Sequence, residues 1–242
     1  MKNIIYCFIV AVLFMGITCA AAQFDYFELK SYGHFKKMVQ TKKAEGVVDL
    51  NTAIPTNDGY AVGILENGRG QITVINSDVW LDYGKDFIGL SVRSIPDDEK
   101  AVVIVTAQVP KWKEIKIPDS LPEKQLLGFI LLQAGHHGLD TNAPFPFLID
   151  GIFDRLSLHV TNGVNPKYGE PENKDYLFYL ITQERYNQKA VVIGFYSANT
   201  QGVYTQPGKS WHLHAVIKKM EVAAHIDYIS VRKNAILKLP VK

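Results

Sequence analysis

The chain has 242 residues, with 26 Lys and Arg against 24 Asp and Glu and a formal net charge of +2. That near balance argues against a nucleic-acid binder and gives no reason to expect an anionic membrane as partner. Both cysteines, Cys7 and Cys19, fall close to the N-terminus, so a chain cleaved after them has no disulfide and depends on its core alone.

The N-terminus opens with Lys2, runs apolar from Ile4 to Cys19 and ends in Ala20, Ala21 and Ala22. This is the layout of a cleavable signal peptide over residues 1–22, with the mature chain beginning near Gln23. The run is short for a membrane span and no basic stop signal follows it. Gly16, Ile17 and Thr18 make a poor context for acylation at Cys19. An exported protein, periplasmic or secreted, is therefore expected. About 220 residues remain, enough for one domain or two closely packed subdomains.

Phe24 to Thr41 carries apolar residues at Phe27, Tyr32, Phe35, Met38 and Val39, which predicts an N-terminal helix, interrupted at Gly33. Strand patterns follow at Ala61–Leu65, Ile72–Ile75 and Val79–Tyr83, separated by Asn67-Gly68-Arg69-Gly70 and Asn76-Ser77. Phe87–Val92 and Ala101–Val109 add two apolar strands, the second continuous enough to be central in a sheet. Leu126, Phe129, Ile130 and Gln133 share a helical face behind a start at Ser120-Leu121-Pro122, and that helix should end at Gly135. Six further strands are predicted at Pro144–Ile149, Leu156–Thr161, Tyr176–Thr182, Ala190–Tyr196, His212–Lys218 and Ala224–Val231. The fold class is thus α+β. An N-terminal mixed β-sheet with helices (residues 23–142) should pack against a mainly antiparallel C-terminal sheet (143–242), with the boundary near Asn142.

His212-Leu213-His214 is the most informative tripeptide, because alternate residues of a strand face the same way and two imidazoles can converge on one ion. His225 follows at the distance expected if the strand turns at Lys218-Lys219-Met220-Glu221 and returns antiparallel, bringing a third imidazole opposite the first two. Three neutral nitrogen donors leave positions open for water or substrate, the arrangement of a catalytic metal site. An isolated His-x-His is as readily the polar outer face of a sheet; the third histidine tips the reading toward a metal.

The stretch from Gly194-Phe195-Tyr196-Ser197 through Gly202-Val203 and Pro207-Gly208 to His212-Leu213-His214 and His225 resembles the metal-binding segment of bacterial acetolactate decarboxylase. The N-terminal half also resembles that family at Gly63, Gly70-Gln71 and Val74 to Trp80. Ile149-Asp150-Gly151-Ile152-Phe153 resembles its Ile-Asp-Gly-x-Phe strand. The resemblance implies a zinc-dependent carbon–carbon lyase that converts 2-acetolactate to acetoin and carbon dioxide. It implies a divalent metal, zinc, on His212, His214 and His225, no organic cofactor, and a homodimer. In such chemistry the metal acts as a Lewis acid for the ketone and hydroxyl oxygens, and a protein acid delivers a proton.

The chain departs from the family's pattern at several positions. Gln71 stands where the family has a carboxylate, Ile64 where it has a threonine, and His159 where its active-site arginine is expected, with Arg155 on the same strand face. The family's C-terminal glutamate has no counterpart after Val231. Gln71 can hydrogen-bond to substrate but cannot carry a proton, whereas His159 can. Gln71 and His159 are accordingly the catalytic candidates. Glu66 and Asp150 are the nearest carboxylates in sequence to the lost ones. Tyr204, Lys209 and Trp211 flank the histidine pair as packing or pocket lining, His136-His137 suits the C-terminal cap of the predicted helix, and His34 a surface position.

The expected substrate is 2-acetolactate or another small 2-hydroxy-3-oxo acid. Two other readings stand beside it: a metal-retaining member that binds a small anion without turnover, and a metal-dependent hydrolase whose three-histidine site activates water.

Overall fold

The computed structural model describes residues 26–84, 89–169 and 177–241. The signal peptide expected over residues 1–22 lies outside the described residues, as do the start of the strand expected at Phe87–Val92 and Tyr176. Among the described residues no helix is long and apolar enough to cross a membrane.

The first half contributes β1 (Glu28–Tyr32), α1 (Phe35–Thr41), β2 (Val48–Asp49), α2 (Leu50–Ala53), β3 (Gly59–Leu65), β4 (Gln71–Ile75), β5 (Asp78–Asp82) and β6 (Lys100–Gln108). These strands form one sheet in the order β1-β6-β3-β4-β5, with β2 alongside β6. The α+β class is as expected, but this sheet is antiparallel in every pairing rather than mixed. Tight turns are the reason. Asn76 and Ser77 both have positive φ, at 53° and 64°, the two-residue connection whose twist matches antiparallel strands. β6 is flanked by β1 and β3, and residues 101–107 are buried throughout, in keeping with its continuous apolar sequence.

The second sheet is built from β7 (Trp112–Lys116), β8 (Leu121–Pro122), β9 (Phe145–Val164), β10 (Phe178–Tyr196), β11 (Trp211–Ile217), β12 (Val222–Val231) and β13 (Ile236–Pro240), with α3 (Glu123–His136) between β8 and β9. β12 pairs with β11 on one side and with the second half of β9 on the other, so β9, β10, β11 and β12 close into a ring. Leu126, Ile130 and Ala134 of α3 seal a core with Leu156, Leu158, Leu213, Ile226 and Ile229. The opposite face of the curled sheet meets the first sheet: Val62, Ile64, Val103 and Val105 pack with Leu148, Ile193 and Phe195. The functional residues lie in this seam.

Several expected elements are revised. Phe24–Thr41 is not one helix: Glu28–Tyr32 is a strand on β6, and the helix begins only at Phe35. The break falls at Gly33, where φ is +69° and an added Cβ would lie 2.1 Å from the Val102 carbonyl oxygen, a position closed to other residues. In the expected strand Phe87–Val92, Val92 makes a single bridge to Leu81. The strands expected at Pro144–Ile149 and Leu156–Thr161 are one strand, β9, because Gly151 stays extended where a Cβ would strike Ala235 at 2.4 Å. The two that follow likewise merge into β10. β7 and β13 form a hairpin-like pair that the charged alternation of Trp112–Lys116 and Ile236–Pro240 concealed.

Candidate metal and acid–base site

Strand alternation sends Leu213 into the α3 core and leaves His212 and His214 on the face toward the first sheet. A tight turn at Lys218–Met220 and Glu221, whose φ is 55°, returns the chain. His225 then lies directly opposite His214 across β11–β12, and opposite His159 across β12–β9. One residue of β12 is therefore in register with both neighbours. The ring centres of His212, His214 and His225 are separated by 5.0, 5.1 and 5.5 Å. His159 stacks on His225 at 4.3 Å. His212 and His214 are fully buried and the other two nearly so.

Asp227 completes the group. Its carboxylate accepts from His159 Nδ1 at 2.8 and 2.9 Å and lies 3.5 Å from His225 Nδ1. Sequence reading missed this acid by searching beyond Val231. The signal was present, since His225-Ile226-Asp227 puts two side chains on one strand face by the same alternation as His212-Leu213-His214. Arg155 shares that facing on β9 but is half-exposed and bonded to Glu184 at 2.9 Å. Glu66 accepts the Gly46 N–H at 2.8 Å and is committed there. His34 is exposed at the start of α1, and His136 and His137 end α3.

The first sheet supplies a lid. Thr73 Oγ1 lies 2.7 Å from His214 Nδ1, both groups fully buried. Gln71, two residues earlier on the same face, is 1% exposed, and its Oε1 has no hydrogen-bond partner. Thr161 Oγ1 donates to the Gly70 carbonyl at 3.0 Å, holding this segment against β9 two residues from His159. Ile64 pairs with Gln71 in register and lines the cleft. From the loop before β11, the Gln206 amide lies 2.7 Å from His225 Nε2.

Burial, reinforced by the charges of neighbouring histidines, holds His212 and His214 well below the ordinary imidazole range. His225 is pushed down to about 4 by burial and by His159, against the opposing pull of Asp227. For Asp227, burial alone would raise the carboxyl, but hydrogen bonds and charge from His159 and His225 hold it well below the usual carboxylate range. Neutral buried imidazoles are the form that binds a metal.

The donor atoms of His159, His225 and Asp227 lie within 4.8 Å of one another, a group able to hold a metal ion. By that measure the three-histidine set is not such a group, although its ring centres lie 5.0–5.5 Å apart. His212 and His214 keep buried ring nitrogens without a hydrogen-bond partner, each costing roughly 1–3 kcal/mol, whereas His225 faces Gln206 through Nε2 at 2.7 Å and Asp227 through Nδ1 at 3.5 Å. A cleft of about 650 Å³ opens beside the cluster, with His159, His225, Asp227, Gln206, Lys209 and Trp211 among its lining residues.

No protein-family model matches the chain, nor does any curated protein. Solved structures do. The α-acetolactate decarboxylase of Bacillus subtilis strain 168 superposes with a TM-score of 0.66 at 11% identity, covering 88% of this chain and 86% of that one. The acetolactate decarboxylase of Bacillus subtilis subspecies spizizenii gives 0.65 at 11% identity, with the same coverage. A Staphylococcus aureus protein of unknown function, described as similar to α-acetolactate decarboxylase, gives 0.62 at 13% identity over 87% of this chain and 84% of that one. At these identities the likeness is one of fold: the chain has the fold of α-acetolactate decarboxylase.

Proposed function

We propose that this protein is an exported, zinc-dependent lyase of the acetolactate decarboxylase type, converting 2-acetolactate to acetoin and carbon dioxide. The observation that carries the reading is the packing of the His212, His214 and His225 rings within 5.5 Å of one another, with buried unpartnered nitrogens on His212 and His214, in a fold shared with that enzyme. These three residues would hold the zinc. His159 and Asp227 already satisfy one another, so they are assigned to proton handling rather than to ligation.

When bound, the metal supplies Lewis acidity toward the substrate's ketone and hydroxyl oxygens. The protein's own groups do the rest. Asp227 accepts a hydrogen bond from His159 Nδ1–H and so fixes the ring's tautomer and orientation; Nε2 takes up a proton from solvent, and the imidazolium, held by Asp227, delivers it to the carbon that loses carbon dioxide. Gln71 offers an amide to a substrate oxygen and moves no proton. Ile64 and the packed seam limit water at the reacting carbon. One proton is taken up, one carbon–carbon bond breaks, and the products are acetoin and carbon dioxide.

A second reading is favoured by Gln71, buried where a carboxylate would carry protons: a metal-retaining protein that binds a small anion without turnover. The test is acetoin formation from racemic 2-acetolactate by the zinc-loaded protein, beside a His212→Ala control. Turnover lost in the control supports the lyase. Bound zinc with no acetoin favours the binding protein.

A further inference from the structure

Resting on that reading, we infer that the site takes a 2-hydroxy-3-oxo acid with a long apolar substituent, seated against α1 and the start of β10, rather than acetolactate as its best substrate. The cleft, at about 650 Å³, lies in the range that encloses drug-sized ligands, several times what a small hydroxy-oxo acid fills. Four of its polar groups sit together at one end. His159, His225, Asp227 and Gln206 form that end, and Lys209 is close enough for its charge to bear on His225. The rest of the lining is largely apolar, with Phe35, Met38 and Val39 from α1, Ile64 from β3, and Leu177 and Phe178 at the start of β10; Glu123 and Thr161 are its other polar members. The two regions are continuous, because the Phe35 ring meets His212 edge-on at 5.1 Å.

A ligand whose carboxylate and hydroxyl occupy the histidine end, with its charge toward Lys209, must run its third substituent along this apolar wall. Acetolactate offers a methyl group there and would leave most of the wall in water. An alkyl or aryl chain buries it, and each buried methylene tightens binding by about fourfold.

The experiment is calorimetric titration of the zinc-loaded protein with unreactive 2-hydroxybutanoate, 2-hydroxyhexanoate and 2-hydroxyoctanoate. Affinity should rise on the order of two-hundredfold from the shortest acid to the longest. Val39→Asn and Leu180→Gln, both at half-buried cleft positions, should each flatten that rise, with urea melts confirming that each variant folds. Equal affinity across the series would overturn the inference and leave the lyase reading standing. No binding of any hydroxy acid despite bound zinc would overturn both.

Discussion

Replacing Thr73 by Val keeps shape and volume while deleting one hydroxyl. In the folded protein that hydroxyl lies 2.7 Å from His214 Nδ1, in a place where both residues are fully buried and water cannot substitute. An unmet buried polar group costs about 1–3 kcal/mol, and partners that orient metal-ligating histidines typically contribute about 10–100-fold in metal affinity. The backbone of His214 stays paired with Ile193 and His225 after the substitution, so the loss should fall near the low end, about tenfold. Competition for zinc against a chromophoric chelator measures it directly, with urea denaturation of the metal-free variant as the control for folding. An unchanged zinc affinity in a stably folded Thr73→Val protein would refute the assignment of His214 as a ligand positioned from the first sheet.

Asp227→Asn should lower acetoin production by about a hundredfold with zinc content retained, read by coupling turnover to metal analysis; loss of the zinc would instead make Asp227 a ligand. Asp82, buried with Oδ2 unpartnered and its carboxyl pushed up to about 6, binds its proton more tightly folded than unfolded. Its contribution to stability is therefore present below about pH 4 and lost as pH rises through about 6. Asp82→Asn should accordingly stabilise the protein at pH 8 by up to about 3 kcal/mol and much less at pH 4, as urea melts at the two pH values would show. Gly33→Ala should cost more than about 2 kcal/mol, since it combines positive φ with a Cβ set against the Val102 carbonyl; an unchanged melting temperature would contradict this.

Much of the site's skeleton was legible because strand periodicity is a local property. The alternation His212-Leu213-His214 and the turn at Lys218–Glu221 set the facing of three imidazoles before any tertiary contact is known. Asp227 was equally legible by the same rule and was missed only because an acid was sought further along the chain. Thr73 and Gln206 were not legible, since their contacts with His214 and His225 depend on how a distant sheet and a distant loop are laid over β11 and β12. The errors in the fold have a similar origin. Phe27, Tyr32 and Phe35 approximate a helical stripe in sequence, and only the open edge of β6 draws Glu28–Tyr32 into a strand. The joining of two expected strands into β9 rests on Ala235 filling the space beside Gly151, a contact made across more than eighty residues.

The most direct test of where the metal sits is anomalous diffraction from crystals of the zinc-loaded protein, collected on both sides of the zinc edge. The account predicts one peak at about 2.0–2.1 Å from a nitrogen of each of His212, His214 and His225, with His159 still bonded to Asp227. A peak bound by His159, His225 and Asp227, with His212 and His214 out of reach, would contradict it.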